Sequence, residues 1–213
     1  MRERALAWWG LLRSRQVEVD GRVLRVPPGV LDPVLFRSGA WFARQVADRV
    51  RPGMRVLDLG CGTGVVGLLA AAAGARVVAV DIEPAATAAA RHNGLEDVRL
   101  GDLFGPVAAE RFDLVAFNPP YLRGEVRGRL ARQRSLGRAL YGGQDLEVVR
   151  RFDREVGLHL APTGRALLCW SDRADETPRA LLGPAWRQRA RAAQQAEELS
   201  LWERELAPSG QIP

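Results

Sequence analysis

Lysine is absent from these 213 residues, so all 31 Lys+Arg positions are arginine, set against 25 carboxylates and two histidines. The formal charge is +6 and the isoelectric point about 10.7, which makes an anionic partner an expectation. An arginine-only cation set, however, follows genome composition as much as function. Cysteine is nearly absent. Cys61 and Cys169 stand in unrelated contexts and form neither a metal-type nor a redox pair, so no metal is expected. Apolar runs of membrane length are missing, because Gly and charge interrupt the longest, and no cleavable leader is evident. The expected compartment is therefore a reducing cytoplasm, with no membrane partner. No repeat or linker divides the chain, and its length allows one domain to bury its own core. The expected division is an N-terminal helix, hairpin and helix over 1–52, packed on a main unit over 53–213.

What is present reads as alternation. Leu6, Trp8, Trp9, Leu11 and Leu12 among arginines predict a short amphipathic helix within Met1 to Gln16. Asp20-Gly21 between Val17-Glu18-Val19 and Arg22-Val23-Leu24 predicts a hairpin, because both turn residues must take positive φ. Ser38 is the predicted cap of a helix that carries Phe42, Val46 and Val50 on one face and ends at Pro52-Gly53. Beyond Arg55, strands are predicted at 56–57, 76–80, 98–101, 113–117 and 165–170. Helices are predicted at 65–73, 84–93, 146–160 and 174–182. Strand and helix alternating at this pace imply an α/β fold with a parallel sheet and helices on both faces. Segments 185–193 and 199–206 read as an antiparallel hairpin on the sheet edge. The competing reading is one helix over 187–205, whose Ala, Gln, Glu and Arg favour it.

Two stretches carry chemistry. Asp58-Leu59-Gly60-Cys61-Gly62-Thr63-Gly64 follows the first strand of the alternating region and opens a helix. Its glycines permit tight turns and close approach of a ligand to the backbone. Gly62 to Gly67 satisfies the G-x-G-x-x-G fingerprint and Asp81 follows at a ribose-binding distance, so a nicotinamide oxidoreductase is a rival. Against it, Asp58 ahead of the glycines would repel a pyrophosphate but could hold an ammonium group, directly or through water. Nor does a hydride-transfer acid follow, since His92 and His159 lie near helix ends. The second stretch is Phe117-Asn118-Pro119-Pro120-Tyr121. Two prolines stop the strand and stiffen its exit. The Asn118 side chain and the Pro119 carbonyl then offer two acceptors on a rigid corner, suited to a flat NH2 group.

Together these motifs resemble the Rossmann-like, class I methyltransferases that use S-adenosyl-L-methionine. The stretch Val56 to Gly64 looks like their first motif, Val80-Asp81-Ile82 their second, and Gly101-Asp102-Leu103-Phe104 their adenine-binding segment. Asn118-Pro119-Pro120-Tyr121 looks like their catalytic tetrapeptide. The resemblance covers roughly residues 53 to 171 and makes 53–213 the cofactor-binding catalytic domain. It implies cofactor contacts from Asp58, Gly60, Cys61, Gly62, Gly64, Asp81, Ile82, Asp102, Leu103 and Asn118, with Ser38 a further candidate. It also implies catalytic roles for Asn118, Pro119, Pro120 and Tyr121, the tyrosine stacking on the planar substrate. No histidine-type base is required.

The tetrapeptide in this class marks methylation of a conjugated amine: a glutamine amide, or the exocyclic amine of adenine or guanine. Ala139 to Leu146, followed by an amphipathic helix, is similar to the segment after the catalytic motif in HemK-type glutamine methyltransferases of release factors. The chain departs from compact members of that group in having Phe36-Arg37-Ser38 where they carry an acidic pair before a Thr, and in a Gly-Gly segment a residue shorter. The leading expectation is transfer to a protein glutamine, with a release factor as partner. Arg123, Arg127, Arg129, Arg132, Arg134 and Arg138, opposed only by Glu125, instead favour phosphate, and with it RNA or DNA base methylation. A small-molecule substrate and a non-catalytic cofactor-binding protein are the remaining alternatives.

Overall fold

The computed structural model describes residues 13–124, 134–194 and 197–206. The helix predicted at the N-terminus lies mostly outside the described residues. Its last two positions instead begin a strand, because Arg15 and Gln16 pair with Val26 and Arg25. Strands β1 (Arg15–Val19) and β2 (Arg22–Val26) form the expected hairpin, with Asp20 at φ 49° and Gly21 at φ 75°.

Seven further strands make one sheet: β3 (Arg55–Leu59), β4 (Arg76–Asp81), β5 (Asp97–Leu100), β6 (Phe112–Phe117), β7 (Leu160–Ser171), β8 (Arg187–Gln194) and β9 (Glu197–Glu205). Their order is β5-β4-β3-β6-β7-β9-β8, parallel from β5 to β7, with β9 antiparallel to both of its neighbours. The C-terminal segments are therefore strands. Leu199 and Leu201 on one face of β9 and Trp202 on the other are buried, so packing on both sides overrides the helical propensity of the stretch. The helices are α1 (Ser38–Ala47), α2 (Val65–Ala72), α3 (Pro84–His92), α4 (Arg134–Leu140), α5 (Glu147–Val156) and α6 (Pro178–Leu182).

Strand periodicity divides the core. Val56, Leu114, Ala116 and Leu167 face α1 and α2, where Phe42, Val46, Val66 and Leu68 close the layer. Leu57, Leu59, Val115 and Leu168 face Val149, Phe152 and Val156 of α5, beside the fully buried Trp186. Chain order reverses between β3 and β6. This switch point opens a crevice outside the carboxyl ends of those two strands, the place where such sheets bind ligands. Among the described residues, no helix is long and apolar enough to cross a membrane.

Three local expectations are corrected. Ser38 is the first residue of α1 rather than its cap, because Arg37 before it is already helical and bonds Trp41 N–H at 3.0 Å. The side chain that organises this helix entry is Asp32, which accepts from the amides of Val34 and Leu35 at 2.7 and 2.9 Å. Leu160 belongs to β7 and not to the preceding helix, since it pairs with Phe112; Pro162 and Gly164 sit in an irregularity before pairing resumes at Leu114 and Arg165. The last predicted helix starts at Pro178 instead of Ala174, capped by Thr177, whose hydroxyl accepts from Ala180 N–H.

Asn93, at the end of α3, joins the hairpin to the glycine loop. Its side chain pairs with Arg25 as another strand would, accepting from the Arg25 amide at 2.8 Å and donating to its carbonyl at 3.0 Å. The same NH2 also donates to the Thr63 carbonyl in the glycine loop at 2.9 Å. Asn93→Ala is therefore expected to lower unfolding free energy by about 2 kcal/mol. Urea denaturation would register this as a lower midpoint at unchanged slope.

Candidate active site

A cavity of about 350 Å³ fills the crevice. Residues Leu59 and Phe117 are partners across β3 and β6, so Gly60 and Asn118 leave the sheet side by side. Gly60 has φ 65° and Gly62 φ 55°; a Cβ at Gly60 would lie 3.3 Å from the Phe117 ring. Gly64 serves packing instead. At φ 81°, its Cβ would lie 2.9 Å from Leu95 and 3.1 Å from Ala90, and it is not part of the cavity wall.

Two carboxylates hold the loop. Asp58 is buried at the end of β3 and accepts from the Gly67 amide at 2.8 Å. Asp81, ending β4, accepts from Gly62 N–H at 2.8 Å and from Glu83 N–H at 2.9 Å. Burial pushes the Asp58 carboxyl up to about 7, against the Gly67 hydrogen bond and with help from the nearby Asp81 charge. Asp81 is also raised by burial, opposed by its two amide donors. Cys61 lines the same wall, its thiol driven well above the ordinary range by burial.

Ser38, Asp58, Gly60, Cys61, Gly62, Asp81, Ile82, Asp102, Leu103, Asn118 and Pro120 meet around this one cavity. Ile82 is 44% exposed and Leu103 buried, which gives one end apolar walls. Asp102 is about half exposed and is already partnered by Arg151 at 2.9 Å. Sequence reasoning missed Arg151, although the signal was present: Val148 and Arg151, a helical turn apart, face the cavity while Val149 and Phe152 face the core. Glu83 was missed as well. One of its oxygens accepts from Ser135 Oγ at 2.9 Å and the other from Arg138 at 3.0 Å, fastening α4 beside the cavity.

At the corner, Asn118 Oδ1 is buried and has no hydrogen-bond partner. The Gly142-Gly143 segment supports this corner from behind, because a Cβ at Gly142 would lie 2.3 Å from the Pro120 carbonyl oxygen. Leu122 N–H bonds Leu140 O at 3.1 Å and Gly142 N–H bonds Leu122 O at 2.9 Å. Tyr121 does not line the cavity; its ring lies against Trp170. The arginine-rich stretch is also less available than its composition implies. Arg123 is paired with Glu176 and Asp175, and Arg138 with Glu83. Arg127, Arg129 and Arg132, and the side chain of Arg134, lie outside what the structure describes.

A doubly wound sheet with an inserted antiparallel strand and a glycine loop between two buried carboxylates is a Rossmann-like methyltransferase fold. Solved structures agree: the T. thermophilus 16S rRNA N2 G1207 methyltransferase, in complex with AdoMet and guanosine, superposes with a TM-score of 0.63 at 22% identity, over 92% of this chain and 50% of that one. The E. cuniculi Mtq2–Trm112 complex gives 0.63 at 20%, over 84% and 99%. The methyltransferase small domain model matches residues 40–141, just under half of the chain; with a candidate glutamine methyltransferase 32% identical and covered over 75% of its length, the chain belongs to this methyltransferase family. Similar curated proteins are the release factor glutamine methyltransferase of Cereibacter sphaeroides (37% identical, 70% of this chain and 56% of the relative) and the ribosomal protein uL3 glutamine methyltransferase of Bradyrhizobium diazoefficiens (36%, 78% and 56%). A candidate protein N5-glutamine methyltransferase of Methanocaldococcus jannaschii is 32% identical over 70% of this chain and 75% of its own length. The chain thus spans just over half of the first two relatives.

The donor set fits S-adenosylmethionine: a buried carboxylate for an ammonium, a second for a ribose diol, an apolar slot beside Asp102 for adenine, and glycines for close approach. Asp58 also has a signature that needs no ligand. Its folded-state value of about 7 lies above the ordinary 3.8. The native state therefore holds the proton more tightly, and the stability so gained is lost as pH rises from about 4 through about 7. Asp20, Asp97 and Glu110, held low by arginine partners, act at and below the foot of this window, whereas Asp81, also raised by burial, acts in the same sense as Asp58. Urea midpoints followed across that range should fall in the wild type and fall less steeply in Asp58→Asn.

Proposed function

We propose that this protein is an S-adenosylmethionine-dependent N-methyltransferase acting on the side-chain amide of a protein glutamine. The observation that carries the reading is the buried, unpartnered Asn118 Oδ1 on the cavity wall, directly beside the glycine loop. A buried acceptor without a donor costs about 1–3 kcal/mol, and a substrate NH2 removes that cost. Asn118 Oδ1 and the Pro119 carbonyl accept the two amide protons and turn the nitrogen toward the donor group. As the nitrogen becomes cationic, the same two acceptors stabilise it and ease loss of its proton.

Asp81 holds the ribose hydroxyls with the acceptor capacity its two amide bonds leave free. Asp58 holds the ammonium, Gly60 and Gly62 admit the ligand to the backbone, and Ile82, Leu103 and Asp102 receive the adenine. When bound, the cofactor supplies a methyl already activated on a sulfonium, so the protein's contribution is alignment and charge stabilisation. Several curated relatives are named as glutamine methyltransferases, of a release factor and of a ribosomal protein. This supports a protein of the translation apparatus as the substrate, with a release factor as the first to try. The internal ion pairs of Arg123 and Arg138 weigh against the nucleic-acid reading.

Asn118→Ala is expected to lower turnover by about 10²- to 10³-fold, with cofactor affinity by calorimetry essentially unchanged. Normal turnover in that variant would remove Asn118 from the mechanism. Asp81→Ala should weaken cofactor binding by about tenfold or more. Radiolabelled cofactor offered to a cell extract identifies the substrate class: label lost with protease supports a protein, and label lost with ribonuclease rejects the glutamine reading.

A further inference from the structure

The aromatic residue of the corner is not part of the cavity wall. The Tyr121 ring lies tilted by 52° on Trp170, centroids 5.8 Å apart. Its hydroxyl donates to Glu197 Oε1 at 3.3 Å, and the other Glu197 oxygen lies 3.8 Å from Arg173 Nε. The Ser38 side chain lies beside the same hydroxyl and favours its ionised form against burial. Ser38 opens α1, Tyr121 ends the corner and Glu197 opens β9, so the phenol oxygen bonds one distant segment and sits against another.

We propose that Tyr121 is a positioning residue for methyl transfer, acting through its hydroxyl to fix the far end of the 118–121 corner and with it the aim of Asn118 Oδ1. The proposal rests on the reading of that corner as the amide-holding site. Strand β6 anchors the near end at Phe117, and two prolines leave the link between the ends little freedom. A displacement at Tyr121 therefore reaches Asn118 instead of dissipating. Methyl transfer is sensitive to such displacement, because alignment is most of what the protein supplies.

Tyr121→Phe tests this, since it keeps the ring and removes only the hydroxyl. The expected result is a turnover about tenfold lower, the effect of one lost hydrogen bond, with cofactor affinity and substrate KM unchanged. Glu197→Leu should reproduce the loss, while Glu197→Gln, which retains an acceptor oxygen, should restore most of the rate. Full activity in Tyr121→Phe alongside a large loss in Tyr121→Leu overturns the proposal in favour of stacking. A second readout needs no substrate. The chain has two asparagines, Asn93 and Asn118, so asparagine-selective nitrogen labelling gives two side-chain amide signals, assigned by loss of one in Asn118→Ala. Tyr121→Phe should shift the Asn118 signal and leave that of Asn93 in place; an unmoved Asn118 signal overturns the proposal. Wild-type protein that methylates no glutamine peptide sinks the functional reading instead, and the amide signal still decides the role of the hydroxyl.

Discussion

The cavity depends on two carboxylates that bind their own backbone. Asp58 and Asp81 end adjacent parallel strands, and each takes an amide of the glycine loop or of the helix behind it: Gly67 for the first, Gly62 for the second. Removing such groups from water is costly unless donors meet them. One of these amides, Gly62 N–H, belongs to the loop and another, Gly67 N–H, to the helix it opens, so holding the loop and presenting negative charge are one arrangement. The raised Asp58 carboxyl measures how incomplete the compensation is in the protein alone. A cationic group would complete it.

A second constraint acts from the other side of the crevice. The corner after β6 is confined by Pro119 and Pro120 within the chain, by Gly142 packing on the Pro120 carbonyl, and by the short bridges of Leu122 with Tyr141 and Gly124 with Gly143. Gly142 is thus a mechanical support for the tetrapeptide, and a side chain there would force the corner outward; Gly143 is required by its positive φ of 87°. Loop and corner are brought into contact by strand register alone, through the pairing of Leu59 with Phe117.

Much of this was legible in the sequence where a residue's local requirement and its tertiary role coincide. Asp20-Gly21 must turn, Pro119-Pro120 must end a strand, and the glycine loop must open a helix; each does so in the structure. The C-terminal hairpin could be favoured over a helix but not fixed, because burial on both faces of β9 decides it. The errors share one cause. Ser38 was read as a cap because the helix entry built by Asp32, six residues upstream, has no local signature. The contacts of Tyr121 are equally silent in the sequence, because nothing near position 121 announces Trp170 or Glu197. Likewise Arg123 and Arg138 looked available until Glu176 and Glu83 were found against them. Pairings between distant residues are what a sequence pattern leaves out.

The position of β9 has a consequence for how the molecule is assembled. Residues 197–205 are the last strand in chain order, yet they lie inside the sheet, between β7 and β8. During synthesis, β7 is complete some 25 residues before its antiparallel neighbour begins. Until β9 arrives, β7 presents an open edge carrying Leu167, Leu168, Cys169 and Trp170, a template to which another chain could add. Closing that edge also delivers Glu197 to the catalytic corner. The protein therefore brings Glu197 to the corner only when it completes its sheet, and until then the edge of β7 stays open to association.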